Sequence, residues 1–198
     1  MNQPLPLDSD TLHPSSPWER MLQSLLVPSL MALVCWLAAD VNYLLSHALA
    51  ELFSIVIGAV AMVVAATSLR FTRNHFVVYV AVGIGWCGAI DLAHLLAFKG
   101  MQLLPVDSAN PATQLWLAAR GLQALVLLTA PLLLLRSVGV VWLHLGFGSA
   151  AMLLMSLVAS GYFPDAYIDG QGLTAFKIYT EYAIIAVMAV AMALFWRY

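Results

Sequence analysis

The chain has 198 residues, of which 63% are hydrophobic and only 9% are charged. A soluble domain usually carries about 25% charged residues, so this composition excludes a water-soluble globule and indicates an integral membrane protein. The net charge is −2, and no block of basic residues suggests a nucleic-acid partner.

Residues 1–20 contain four prolines and two aspartates and are predicted to form a flexible cytoplasmic tail. This segment lacks the positive start and the small-residue cleavage site of a signal peptide. Residues 21–198 are predicted to form one transmembrane domain.

Six apolar stretches follow, each long enough to cross a hydrocarbon layer of about 30 Å as a helix. The predicted fold is therefore all-α, a bundle of six transmembrane helices without strands. The predicted spans are Met21–Ala39, Tyr43–Ser68, His75–Phe98, Ala112–Leu135, Val138–Ser160 and Thr174–Trp196.

Proline and small residues give more local expectations. Pro28 and Pro131 lie inside spans and are expected to bend them. Asn110 is predicted to cap the fourth helix, with Pro111 in its first turn. The third span carries small residues at a spacing of four, which predicts close packing against a neighbouring helix; they are Ala81, Gly85 and Ala89.

The lysines and arginines predict the orientation. One side of the predicted bundle carries Arg20, Arg70, Arg73, Arg136 and Arg197, and the other carries Lys99 and Lys177. Because positive residues favour the cytoplasmic side, five against two predicts that both termini lie in the cytoplasm.

Four spans each carry a charged residue at a similar depth. At a rise of about 1.5 Å per residue, Glu51 and Arg120 lie roughly 12 Å inside the outer boundary, and Asp91 and Glu181 roughly 10 Å inside it. A charge near the middle of a bilayer costs about 2.5–3.5 kcal/mol on insertion scales, so such residues usually have partners and often have a function.

Further polar residues share helix faces with these charges. Four of them lie three or four positions from a charge, a spacing that places side chains on one face; the pairs are His47 with Glu51, His94 with Asp91, Trp116 with Arg120 and Lys177 with Glu181. We therefore expect one pocket that opens outward and binds a small ligand, cofactor or metal. The candidate ligand-binding residues are His47, Glu51, Asp91, His94, Gln114, Trp116, Arg120, Lys177 and Glu181.

Arg120 is expected to pair with Asp91 or Glu181, because its planar guanidinium can hold a carboxylate by two hydrogen bonds. The alternative is that these ion pairs only fix which helix faces which. The nature of a ligand stays open. A nitrogen and oxygen site for iron, zinc or manganese would draw on His47, Glu51, Asp91, His94 and Glu181. A haem flanked by His47 and His94 is a second alternative.

Four sequence blocks resemble a known family. HALAELFSIVIG, GAIDLAHLLAFKGM, ATQLWLAARGLQAL and GQGLTAFKIYTEY are similar, in this order, to the signature blocks of the third type of membrane-associated sensor domain, the MASE group. The family pattern falls here on His47, Glu51, Asp91, His94, Lys99, Gly100, Met101, Thr113, Gln114, Trp116, Arg120, Thr174, Lys177 and Glu181.

The resemblance implies a sensory input domain of the bacterial inner membrane that regulates a cytoplasmic histidine kinase or diguanylate cyclase. It also implies further membrane helices and an effector after Tyr198. The 198 residues contain no kinase, nucleotide-binding or cyclase motif, so any such activity is expected in an effector outside this sequence or in a separate partner. Signalling modules are often dimers, and a homodimer stays open. A membrane metalloenzyme and a proton or ion transporter are the alternative functions.

Overall fold

The computed structural model describes residues 16–72, 74–104, 106–133 and 138–197. Within these ranges the chain forms six long helices, each long and apolar enough to cross a membrane, as predicted. They are α1 (Pro17–Val41), α2 (Tyr43–Thr72), α3 (His75–Ala97), α4 (Asn110–Thr129), α5 (Val140–Ala159) and α6 (Ala175–Arg197). Residues 1–15 of the predicted tail, together with Arg73 and Arg136, lie outside the described residues.

Helix α1 begins four residues earlier than predicted. The side chain of Ser16 accepts a hydrogen bond from the backbone N–H of Glu19, and the Glu19 carboxylate accepts one from the backbone N–H of Ser16. This capping box satisfies N–H groups that the first turn leaves free, and Pro17 follows at the first helical position. The hydrophobicity pattern alone misses this polar start.

Two expectations about α4 are wrong. Asn110 is the first residue of the helix rather than its cap, and its side chain reaches the loop before α6 instead. Pro131 does not bend a continuing α-helix; it lies in a 3₁₀ turn, Ala130–Leu133, that follows the last α-helical residue, Thr129. A proline inside a helix removes one backbone hydrogen bond and crowds the preceding turn, which accounts for the end of the α-helix just before Pro131.

A short antiparallel hairpin precedes α6, although the sequence shows no strand pattern. Strands β1 (Tyr167–Ile168) and β2 (Gly172–Leu173) pair through two residues each, too few for alternating hydrophobicity to be visible. Gly170 and Gly172 adopt φ angles of 82° and 88°, which residues with a Cβ rarely adopt.

Helices α3 and α4 form the centre of the bundle. They pack against each other, and Ile90 on α3 and Ala119 on α4 are completely buried. Helices α2 and α5 pack against α3, whereas α1 packs mainly against α2, and α6 mainly against α4. Most of the surface of α1 and α6 is exposed and apolar, as expected for helices that face lipid.

The predicted small-residue contact lies between α2 and α3. A Cβ added to Gly85 would lie 2.6 Å from the sulfur of Met62 and 2.8 Å from its Cβ. Nearby, Ala81 and Ala65 are both buried in the same apolar cluster. The absence of a side chain at Gly85 therefore allows the two backbones to approach closely.

Candidate functional site

An ion pair connects the two central helices. Arg120 on α4 donates from Nη2 to Oδ2 of Asp91 on α3, and its Nη1 donates to Oε1 of Gln123 at 2.6 Å. The side chain of Asp91 is only 5% exposed, whereas that of Arg120 is 24% exposed. Of the two partners that the sequence allowed for Arg120, the structure selects Asp91.

This ion pair does not use all the polar atoms of its members. Oδ1 of Asp91 and Nε of Arg120 are buried, and neither has a hydrogen-bond partner among the described residues. An unpaired polar atom in a bundle interior costs free energy until a partner satisfies it. The pair therefore holds unused capacity to bind a polar group.

Two histidines and a glutamate lie together between α2 and α3. His47 and Glu51 are one turn apart on α2, and His94 faces them from α3. One ligand atom of each residue lies within 4.8 Å of those of the other two. We call these three residues the HEH cluster.

The backbone of α4 fixes the ring of His94. Nδ1 of His94 lies 2.7 Å from the carbonyl oxygen of Ala112. Since a carbonyl can only accept, Nδ1 carries the proton and donates it. In the neutral ring Nε2 then keeps its lone pair, and this buried atom has no partner among the described residues.

Aromatic rings surround the HEH cluster. Phe98 lies 4.5 Å from the ring of His47 and 6.1 Å from that of His94, between ring centroids. Tyr43 stacks on His47 at 6.1 Å. Because His47 lies in the second turn of α2 and His94 in the last turn of α3, the cluster is near one end of the bundle.

The predicted residues on α6 make contacts of their own. Lys177 donates to Glu181 at 2.7 Å, and its ammonium lies 5.5 Å from the centroid of the Trp116 ring on α4. The side chain of Lys177 is 12% exposed, so the contact with the ring is largely removed from solvent and lipid. These three residues connect α6 to α4.

Gln114 connects α4 to the loop before α6. Its Nε2 donates to the carbonyl oxygens of Phe163 and Pro164, at 2.9 and 3.0 Å. Both amide protons are therefore used within the protein, which gives this buried residue a structural role in addition to any role in binding.

Direct contacts thus divide the nine predicted residues into four groups. Asp91 and Arg120 form the ion pair, and the other groups are the HEH cluster, the contact of Trp116, Lys177 and Glu181, and Gln114 with its loop. Of the five predicted metal ligands, three lie together, while Asp91 and Glu181 are each paired with a cation.

Comparison with known families agrees with this architecture. The family model for MASE3, a membrane-associated sensor domain, matches residues 38–198. The chain belongs to the MASE3 family. No curated protein and no solved structure matches it significantly. The match begins near the end of α1 and includes all of α2 to α6, and therefore every predicted site residue. With six helices that can span a membrane, this MASE3 domain is a multi-pass inner-membrane protein and a sensory domain.

Sequence reasoning missed several groups around the site of this MASE3 domain. Neither the carbonyl of Ala112 nor the rings of Tyr43 and Phe98 were identified. A backbone carbonyl has no signal in sequence, and aromatic residues at helix ends are ordinary in membrane proteins. Asn110 was assigned a different role, although its side chain binds Asp165 and the N–H groups of Ala166 and Tyr167.

Proposed function

We propose that this MASE3 domain binds a small polar ligand or an ion at the groups around the Asp91–Arg120 pair and regulates a cytoplasmic effector in response. A histidine kinase or a diguanylate cyclase is the effector class that we propose. The observation that carries the proposal is a buried ion pair with two unused polar atoms, next to the HEH cluster.

A purely structural ion pair would be a weak explanation for this arrangement. Polar contacts between membrane helices contribute only about 0.6 kcal/mol on average, whereas each buried unpaired group costs about 1–3 kcal/mol. Polar groups that reduce stability are retained when they serve function. A ligand that satisfies Oδ1 of Asp91 or Nε of Arg120 would stabilise the state in which it binds.

Contacts between α4 and α6 supply a route to the effector. Leu117 and Ala124 on α4 pack with Ile184 on α6 in one apolar cluster, and Lys177 contacts Trp116. Because Arg120 lies on α4 among these residues, a change at the ion pair would shift the surface of α4 against which α6 packs. The last described residue of α6 is Arg197, whose end we place in the cytoplasm from the distribution of lysine and arginine.

The test is a chimera in which a diguanylate cyclase follows Tyr198 and a fluorescent reporter measures its product in cells. Two growth conditions are chosen between which the wild-type chimera changes its output. We expect Arg120→Ala and Glu51→Ala to hold the output at one level under both conditions. Loss of the ion pair or of a cluster carboxylate removes the difference in affinity between the two states.

The matched control is Arg20→Ala, which removes an exposed arginine of α1 far along the chain from the ion pair. It should respond like the wild type. If Arg120→Ala and Glu51→Ala, expressed in the membrane at wild-type levels, also respond like the wild type, the proposed function is wrong.

A further inference from the structure

We propose that the HEH cluster is a binding site for one divalent transition-metal ion, held by His47, Glu51 and His94. The inference deepens the proposed function and rests on it in one respect, namely that the ion would be the ligand, or part of the ligand, that the domain senses. The binding itself can be tested without any signalling output.

The donor set is the first argument. Two imidazoles and one carboxylate form the set that zinc, ferrous iron and related first-row ions prefer, and three protein ligands leave a further position for water or a second ligand. The contributing residues come from two helices that pack tightly together, so the backbone positions are fixed before an ion arrives.

The orientation of His94 is the second and independent argument. Its Nδ1 donates to the Ala112 carbonyl, and this second contact is the one that metal-bound histidines usually make. It leaves Nε2 as the lone-pair donor. His94 as a residue is 95% buried, and its Nε2 has no partner among the described residues. An imidazole nitrogen in this state can donate its lone pair to a cation.

The other two members are also available. Nε2 of His47 is buried without a partner among the described residues. In the part of the chain that the structure describes, no ion pair or hydrogen bond occupies the carboxylate of Glu51. By contrast, Asp91 and Glu181 are each neutralised by a cation, so we exclude them from the inner ligand set.

The distances favour an ion over a larger group. Two ligands of a tetrahedral zinc ion, each about 2.1 Å from it, lie about 3.4 Å apart. Separations of up to 4.8 Å therefore require the ligand atoms to approach one another by up to about 1.4 Å, which rotation of side-chain bonds provides. A haem would have to fit between His47 and His94, but their ring centroids are only 5.8 Å apart. Phe98 also packs against the ring of His47.

The experiment uses the full chain, purified in detergent with an affinity tag that contains no histidine. The protein is stripped with a chelator and incubated with zinc chloride, and the retained metal is measured by elemental analysis after desalting. Wild type should retain about one ion per chain. Cobalt in place of zinc should give the visible absorption bands of an ion bound by nitrogen and oxygen in low coordination number.

Each of the variants His94→Gln and Glu51→Gln should lower the zinc affinity at least tenfold, because each removes one of three protein ligands. His144→Gln is the matched control. His144 is also a histidine in the bundle, but it accepts a hydrogen bond from Trp86 at 3.2 Å and is outside the HEH cluster. This variant should retain zinc like the wild type. Should His94→Gln fail to fold, Glu51→Gln together with His47→Gln decides the question.

Several results would overturn the inference. A wild-type protein that retains neither zinc nor ferrous iron nor manganese has no such site. Equal zinc binding by wild type, His94→Gln and Glu51→Gln would place the ion elsewhere.

The two proposals fail separately. A protein without an ion whose chimera still depends on Arg120 contradicts only the metal site. A protein whose HEH cluster binds zinc, but whose chimera responds normally when Arg120 and Glu51 are replaced, contradicts only the sensory role.

Discussion

At the scale of single residues, the Asp91–Arg120 pair connects the two central helices of the bundle. Its two members differ in burial, since the side chain of Asp91 is 5% exposed and that of Arg120 is 24% exposed. When one partner of a buried pair is removed, the cost comes mainly from the charge that is left behind. The more deeply buried member should therefore suffer more from the loss of its partner.

We predict that Arg120→Ala lowers the free energy of unfolding by about 3 kcal/mol, because it strands a buried carboxylate. Asp91→Ala should cost less, because the longer guanidinium can turn towards a more polar environment. Unfolding of both variants by SDS in mixed micelles measures the difference. Equal losses, or a larger loss for Asp91→Ala, would contradict this account of the pair.

Part of this site could be read from the sequence. Charges on separate helices at one depth predicted that Arg120 would have an acidic partner, and spacings of three and four identified His47 with Glu51 on one face. The choice of Asp91 over Glu181 could not be made, because it depends on which helices are neighbours and how they rotate. Glu181 is instead bound by Lys177, one turn away on the same helix. The sequence shows that Lys177 lies one turn from Glu181. It does not show that Glu181 pairs with Lys177 rather than with Arg120.

At the scale of helices, small residues decide how closely α2 and α3 approach. The sequence predicted this contact from the spacing of Ala81, Gly85 and Ala89, and Gly85 lies against Met62. It did not predict the capping box of α1 or the hairpin before α6. Both depend on local hydrogen bonds and turn geometry, which hydrophobic patterns do not report.

Gly85→Ala should lower the free energy of unfolding by about 1–3 kcal/mol, because the added methyl group would overlap Met62. Gly146→Ala on α5 is the matched control, since nothing lies within 4 Å of the added carbon. Alanine there should be neutral or stabilise the helix by about 0.8 kcal/mol. Thermal unfolding in detergent, followed by circular dichroism, compares the two. A Gly85→Ala protein as stable as the control would show that the two helices do not pack this closely.

At the scale of the whole molecule, the HEH cluster and the loops beside it define one face of the membrane protein. The orientation predicted from lysine and arginine places this face outside the cytoplasm and both ends of the chain inside it. Helices α4 and α6 pack against each other, which is the contact through which we propose that a signal crosses the bilayer.

Labelling with a membrane-impermeant maleimide tests the orientation. Cysteines are introduced at two exposed positions, Asp107 between α3 and α4 and Glu19 at the start of α1, in a chain whose Cys35 and Cys87 are replaced by alanine. Asp107→Cys should react when only the outer face of the inner membrane is accessible to the reagent. Glu19→Cys should react only after the inner membrane is permeabilised. The reverse pattern would show that the topology is opposite to the predicted one.

The most direct test of a sensory role replaces both members of the ion pair with neutral side chains of similar shape, Asp91→Asn with Arg120→Gln, in the cyclase chimera. Replacing a buried pair as a whole costs little stability, so the free energy of unfolding should lie within about 1 kcal/mol of the wild-type value. We predict that its output no longer changes between the two growth conditions, because the charges that we propose recognise the ligand are gone. A stable double variant that still responds like the wild type would show that the pair only holds α3 and α4 together.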